Sequence, residues 1–156
     1  METNLPREIQ IITIDRINAR LPVTEGVSVA QLKVAVGHVP QTPKIGPAGN
    51  AVIAGHRSYT YGQYFNRLGE LVVGDIIKYQ PISGDEMQFK VNEILEVLPG
   101  DPAVLWQPDQ ADSSPGKPNI GSESASPENI KMLTLLTCTP IMTATHRLLV
   151  RAELIN

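Results

Sequence analysis

The sequence predicts an all-β fold, and three observations carry that prediction. Proline and glycine are frequent, 13 and 12 in a chain of 156 residues, and they punctuate it into short segments. Between them lie runs rich in Ile, Val and Thr, side chains that suit a pleated surface. Amphipathic patterns long enough for more than a short helix are few.

The first strand is Ile9-Gln-Ile-Ile-Thr-Ile14, β-branched at most positions. Ile17 to Val23 reads as a second, with Pro22 marking an edge or a strand end because it has no N–H to give a ladder. Leu21-Pro-Val-Thr-Glu-Gly26 looks like a cell-wall sorting pentapeptide with Glu25 inserted. No apolar segment and basic tail follow, so it is read as a strand-to-turn connection. Ser28 caps a short helix over Val29 to Val34.

Gly37 to Gly49 is dense in Gly and Pro and reads as a loop. His38 lies in it, either near a site or, the preferred reading, bonded to local backbone. Asn50-Ala-Val-Ile-Ala-Gly-His56 is apolar on both faces, the mark of a buried central strand. Period two puts Val52, Ala54 and His56 on one face, and Gly55 permits a close approach by another group. Tyr61, Tyr64, Phe65 and Leu68 recur at helical spacing and predict a short helix packed on the sheet. The competing use is an aromatic stacking surface.

Gly74 to Gln80 and Met87 to Leu98 are the next strands, the second long enough to bend. Pro99 to Asn129 is a long loop, functional or mobile by its length, with its tip at Asp112 to Pro118. Its Trp106 either anchors the loop, the preferred reading, or lines a groove. Ile130 to Cys138 and His146 to Ile155 complete the strands. We expect one domain over 1–156, with 1–15 as N-terminal extension and first strand, and 99–129 as the loop before the penultimate strand.

The formal net charge of −3 gives no basic field for nucleic acid or anionic lipid. No run of about 18 apolar residues spans a membrane, and no signal peptide is visible at the start of the chain. Cys138 is the single cysteine, so no internal disulfide forms. Taken alone, such a cysteine is more often buried and inert than reactive. Its neighbours shift that balance. A thiol becomes a nucleophile when ionised, and its pKa, about 8.5 when free, falls beside an imidazolium or a guanidinium. His56 ends one buried strand and Cys138 another, so neighbouring strands would bring imidazole and thiol to one rim. The order His then Cys disfavours a papain-like arrangement.

Arg147 follows just beyond the turn at Pro140, able to stabilise an oxyanion or align a carbonyl. It shares a strand face with Leu149, Arg151 and Glu153, a mixed and therefore accessible face, whereas His146 shares the apolar face and is structural. The scattered His and Cys make no metal site, and no phosphate loop or paired carboxylates stand out.

Three of these segments together resemble the sortase family. Thr134-Leu-Leu-Thr-Cys138 matches its T-L-x-T-C signature, Ala54-Gly-His-Arg57 its histidine segment, and Thr145-His-Arg-Leu-Leu-Val150 its arginine strand. Leu21–Gly26, Val36–His38 and Leu71–Asp75 are lesser matches in family order. The resemblance implies a closed eight-stranded β-barrel with two or three short helices. It also implies a cysteine transpeptidase that cleaves an LPxTG-like sorting signal after Thr and joins the protein to a cell-wall amine.

By resemblance Cys138 is the nucleophile, His56 the general acid/base and Arg147 the holder of signal and oxyanion, helped by backbone N–H groups after Cys138. Ala54, Leu136 and Thr137 match positions lining the signal groove. No cofactor or metal is implied. The implied partners are sorting signals and a peptidoglycan precursor amine or a pilin lysine, and no nucleic acid. The implied place is the outer face of a Gram-positive membrane, with no anchor within these residues. His56 to Leu68 looks most like class D, while the spacing from Cys138 to Arg147 is shared with pilin-polymerising class C. A lid with an Asp-Pro-aromatic motif, usual in class C, does not precede the barrel. The remote alternative is a non-catalytic β-barrel binding module with an inert Cys138.

Overall fold

The computed structural model describes residues 9–56, 64–108, 129–139 and 145–155, with backbone alone at Cys138 and Thr139. Strands β1 (Gln10–Ile14), β2 (Ala19–Glu25), β3 (Val36–His38), β4 (Gly49–Ala54), β5 (Ile76–Gln80), β6 (Met87–Val97), β7 (Lys131–Thr139) and β8 (His146–Leu154) form a closed barrel. Around the barrel they run β1-β2-β3-β4-β7-β8-β6-β5. Closure joins the two outer strands that a flat sheet would leave as edges. One side chain in two turns inward, and Ile12, Ile53, Phe89, Leu135 and Val150 fill the interior with no exposure.

Helix is confined to short pieces among the described residues: α1 (Val29–Leu32) and 3-10 turns at Asp15–Ile17, Leu68–Glu70 and Pro102–Leu105. Ser28 caps α1 as expected, its hydroxyl accepting from Gln31 N–H while the Gln31 side chain accepts from Ser28 N–H.

Three expectations are corrected. Gly37 and His38 belong to a strand, β3, not a loop. β3 pairs parallel with β2 and antiparallel with β4. Gly37 is required there, since a Cβ would fall 2.1 Å from the Gly26 carbonyl oxygen. Of the two readings of Pro22, the edge holds: it lies inside β2, not at its end. β3 joins β2 only from Val23 onward, so the proline occupies a stretch with one neighbour, β1.

The helix expected over the tyrosines is, in its described part, a turn running into the 3-10 turn at Leu68. Tyr64 has φ 47°, a left-handed value that no right-handed helix contains. The spacing did find the packing residues, because Phe65 and Leu68 have no exposure; Tyr61 lies outside the described residues. The long segment after Val97 is not patternless. It opens with the Pro102–Leu105 turn, capped by Asp101 accepting from Ala103 N–H at 2.8 Å. Its expected flexible tip lies outside the described residues.

Two readings hold in detail. β4 is buried along its length between β3 and β7. β6 is bent, with one extra residue, Asn92, between the pairs Val91–Ala152 and Glu93–Arg151.

Candidate active site

The site is built by strand register. β4 and β7 run parallel, with Ala54 opposite Leu136. Past the end of β4 the pairing continues. Gly55 N–H donates to the Leu136 carbonyl at 3.0 Å, and the Thr137 hydroxyl donates to the Gly55 carbonyl at 2.7 Å. The next step sets His56 level with Cys138. On the other side of β7, Cys138 lies directly opposite Arg147 of β8, one strand spacing of about 4.8 Å away. Three consecutive strands of the barrel thus bring His56, Cys138 and Arg147 to one rim.

Period two settles which surface this is. Ala51, Ile53, Leu133, Leu135, Leu148 and Val150 face the barrel interior, so Ala54, Leu136 and Arg147 belong to the outer face. His56 is exposed. Its backbone is held from the far side by Phe65, whose N–H donates to the His56 carbonyl at 3.0 Å. Gly55 is what admits Phe65. A Cβ there would sit 2.5 Å from the ring and 2.8 Å from Val36. The closest approach at Gly55 comes from core side chains.

Beside Arg147 a groove of about 250 Å³ opens on the outer face, between Leu136 and a wall of Gly100, Asp101, Pro102, Val104 and Leu105. Leu136 lines it. Ala54 is partly exposed beside Leu136 on the same face. Thr137 does not line it. The residue is 2% exposed and its hydroxyl is committed to Gly55, so it ties β4 to β7 beneath the rim. Residues 140–144, where part of the expected oxyanion donors fall, and Arg57 lie outside the described residues.

The accessible face expected for β8 is partly exposed at its ends, Arg147 and Glu153, and closed in its middle. Leu149 and Arg151 on the same face have no exposure, and the Pro102–Leu105 turn meets Arg151 through the Ala103 carbonyl. Trp106 anchors that segment, 2% exposed and packed with Ile130 and Met132. His146 does not enter the core. It starts β8 half-buried, with its Nδ1 2.9 Å from the Thr145 hydroxyl.

Sequence reasoning missed the polar groups beside that segment. Asn50, with no exposure, donates to the Trp106 carbonyl and accepts from the Thr134 hydroxyl. Gln107 brackets the Asn50 backbone, accepting from its N–H at 2.8 Å and donating to its carbonyl at 2.7 Å. The available signal was a lone Asn opening an otherwise apolar strand.

His38 is elsewhere, at the opposite mouth of the barrel. Its Nδ1 faces the Glu25 carboxylate at 2.9 Å and its Nε2 the Pro43 carbonyl at 2.7 Å, in keeping with the backbone-bonded reading. Glu25, Lys44, Tyr79 and Met87 help line a pocket of about 510 Å³ there. Burial first, and then the Glu25 charge, pushes the Tyr79 phenol above its ordinary value. Among the described residues no group of three or more His, Cys, Asp or Glu gathers as for a metal, and no helix is long and apolar enough to cross a membrane.

The sortase domain model matches residues 12–155. The chain belongs to the sortase family. Sortase D of Bacillus subtilis is 37% identical over 68 residues, 44% of this chain and 32% of that protein, so the match spans about a third of that relative's length. The fold is similar to the pilus-related sortase C of Group B Streptococcus, with TM-score 0.76 and 31% identity over 98% of this chain and 70% of that one. It is also similar to a Clostridium perfringens sortase D5 transpeptidase, with TM-score 0.73 and 31% identity over 95% and 79%. Sortase A from Corynebacterium diphtheriae, as a lid mutant, matches with TM-score 0.75 and 30% identity over 95% and 70%. The closed barrel is the fold that the sequence resemblance implied.

Proposed function

We propose that this sortase is a cysteine transpeptidase acting on LPxTG-like sorting signals at the outer face of the membrane. The Cys138 thiolate attacks the carbonyl carbon of the signal threonine. The peptide C–N bond breaks as His56 protonates the departing amine, which leaves a thioacyl enzyme. His56 then takes a proton from an incoming amine, the amine attacks the thioacyl carbon, and the C–S bond breaks to restore the thiolate. Arg147 donates to the oxyanion formed in each half and aligns the signal in the groove beside it. The single observation that supports this reading is the β4–β7–β8 register, which sets His56 and Arg147 on either side of Cys138 at one rim.

The test is thioacyl capture. Incubation with LPxTG-like peptides, with no amine added, should give an adduct of the mass expected for the acyl fragment. Absence of adduct across a panel of signals, from a protein whose thiol still alkylates readily, overturns the reading.

The subclass is proposed as class D, with a peptidoglycan precursor amine as acceptor, on the His56–Leu68 resemblance and the Bacillus relative. A second reading, pilin polymerisation through a lysine amine, is favoured by the likeness to the pilus-related streptococcal enzyme. Competition between stem-peptide amines and a pilin-derived lysine peptide for the thioacyl enzyme decides between them.

A further inference from the structure

We infer that Arg151 is a positioning residue for the signal groove: it holds the Pro102–Leu105 turn against the outer face so that Val104 and Leu105 wall the groove beside Arg147. The inference rests on the transpeptidase reading for what the groove binds.

Arg151 has no exposure. One Nη donates to Glu93 Oε1 at 3.1 Å and the other to the Ala103 carbonyl at 2.7 Å. The first bond depends on the β6 bulge. In plain antiparallel register Asn92 would face Arg151, whereas the extra residue moves Glu93 opposite it and brings a carboxylate to the buried guanidinium. The second bond reaches into the groove wall. Ala103 lies between Pro102 and Val104, which both line the groove. Asn50 grips the far end of the same turn through the Trp106 carbonyl at 2.9 Å. Two buried side chains thus hold two carbonyls, one inside the turn and one just past it.

Covering the face does not itself call for charge. Leu149, the next outward residue toward Arg147, is equally buried and apolar. A guanidinium withdrawn from water is costly unless geometry repays it. Here its planar fork joins a fixed carboxylate to a wall carbonyl, an arrangement an apolar side chain cannot make. Arg151 sits on the same strand face as Arg147, so the wall and the proposed oxyanion holder are set by one strand.

The test uses a fluorescent LPxTG-like peptide on a Cys138→Ala background, read by anisotropy, with turnover measured in parallel on the cysteine enzyme. Arg151→Gln should weaken peptide binding about tenfold, raise KM by a similar factor and leave kcat within about twofold. Arg151→Lys should recover part of the loss. Hydrogen exchange at Ala103 and Val104 should quicken while β8 stays protected. A merely structural role would lower the melting temperature and the active fraction without moving the Kd or KM of the folded molecules. Unchanged peptide affinity, or unchanged exchange at Ala103 and Val104, overturns the inference. Turnover absent from the cysteine enzyme while Arg151→Gln still weakens peptide binding overturns the transpeptidase reading and supports this one. Should Arg151→Gln fail to fold, Glu93→Gln, at a partly exposed position, carries the same test with the same sign.

Discussion

Thr137→Val isolates the bond that sets the histidine at the rim. Thr137 is 2% exposed, and its hydroxyl donates to the Gly55 carbonyl at 2.7 Å, one residue before His56. Valine keeps the shape and removes the donor. The position is buried, so the carbonyl loses its partner away from solvent. The cost is about 1–3 kcal/mol, the lower figure if the chain relaxes and the upper if it does not. With a urea slope of about 1–3 kcal/mol/M for a chain of this size, the unfolding midpoint should fall by about 1 M at constant slope.

The functional cost is separate. Gly55 is then held to β7 by its N–H alone, and His56 is free to drift by a fraction of an ångström. Misplacement on that scale lowers the rate on the order of tenfold to a hundredfold, in kcat rather than KM, since the groove wall is untouched. Thr137→Ser is the control: it keeps the hydroxyl, loses one methyl and should stay near wild type in rate. The assays are urea denaturation followed by Trp106 fluorescence, and steady-state transpeptidation. If Thr137→Val shows the lower midpoint but a wild-type kcat, the bond serves stability alone and the account of His56 placement is wrong.

Other outcomes are expected from the same geometry. Gly55→Ala should drive Phe65 from its seat, because the new methyl would lie 2.5 Å from the ring; a loss of about 1–3 kcal/mol in urea denaturation is expected, and an unchanged midpoint would show that the ring relocates freely. Arg147→Lys should lose most transpeptidation while leaving the fold intact, since a point charge does not reproduce the planar fork; a near-wild-type rate would remove the role proposed for it. Stability should fall as pH rises above about 10. The Tyr79 phenol is pushed up by burial and Glu25, and the Lys78 ammonium by its bond to Asp15. The folded state therefore keeps protons that the unfolded chain releases first. Tyr79→Phe should flatten that alkaline limb without abolishing it, and an unaltered limb in pH-dependent denaturation would discount the Tyr79 share.

The parts of the fold legible in the sequence were those where burial writes a pattern. β4 announces itself as an apolar run because it is covered on both faces, and β6 alternates where one face is wet. β3 escaped because its few residues include Gly37 and His38, which serve a close backbone approach and a hydrogen bond to the Glu25 carboxylate, and neither is a strand-like side chain. The turn at Tyr64 escaped for a related reason. Phe65 and Leu68 repeat at helical spacing, and the same spacing serves a turn that drops both into the core. Periodicity reports which side chains are buried and is silent on the backbone that buries them.

The candidate site divides along the same line. Its rim was legible because strand ends and chain order are local facts, and register then does the rest. Once β4 and β7 are parallel neighbours, Ala54 opposite Leu136 carries His56 to the level of Cys138, and antiparallel pairing carries Arg147 there from the other side. The turn against β8 was not legible. The polarity of Arg151 and Glu153 marked the outer face of β8 as open, and polarity is a guide to exposure only while nothing folds over it. The Pro102–Leu105 turn meets it at Arg151, and the guanidinium that looked like a surface charge donates to the Ala103 carbonyl. A charged residue on the face of a strand therefore has two readings, solvent or scaffold. The bulge at Asn92 decides between them here, because a strand does not give up its register to bring a carboxylate to a side chain that water already serves.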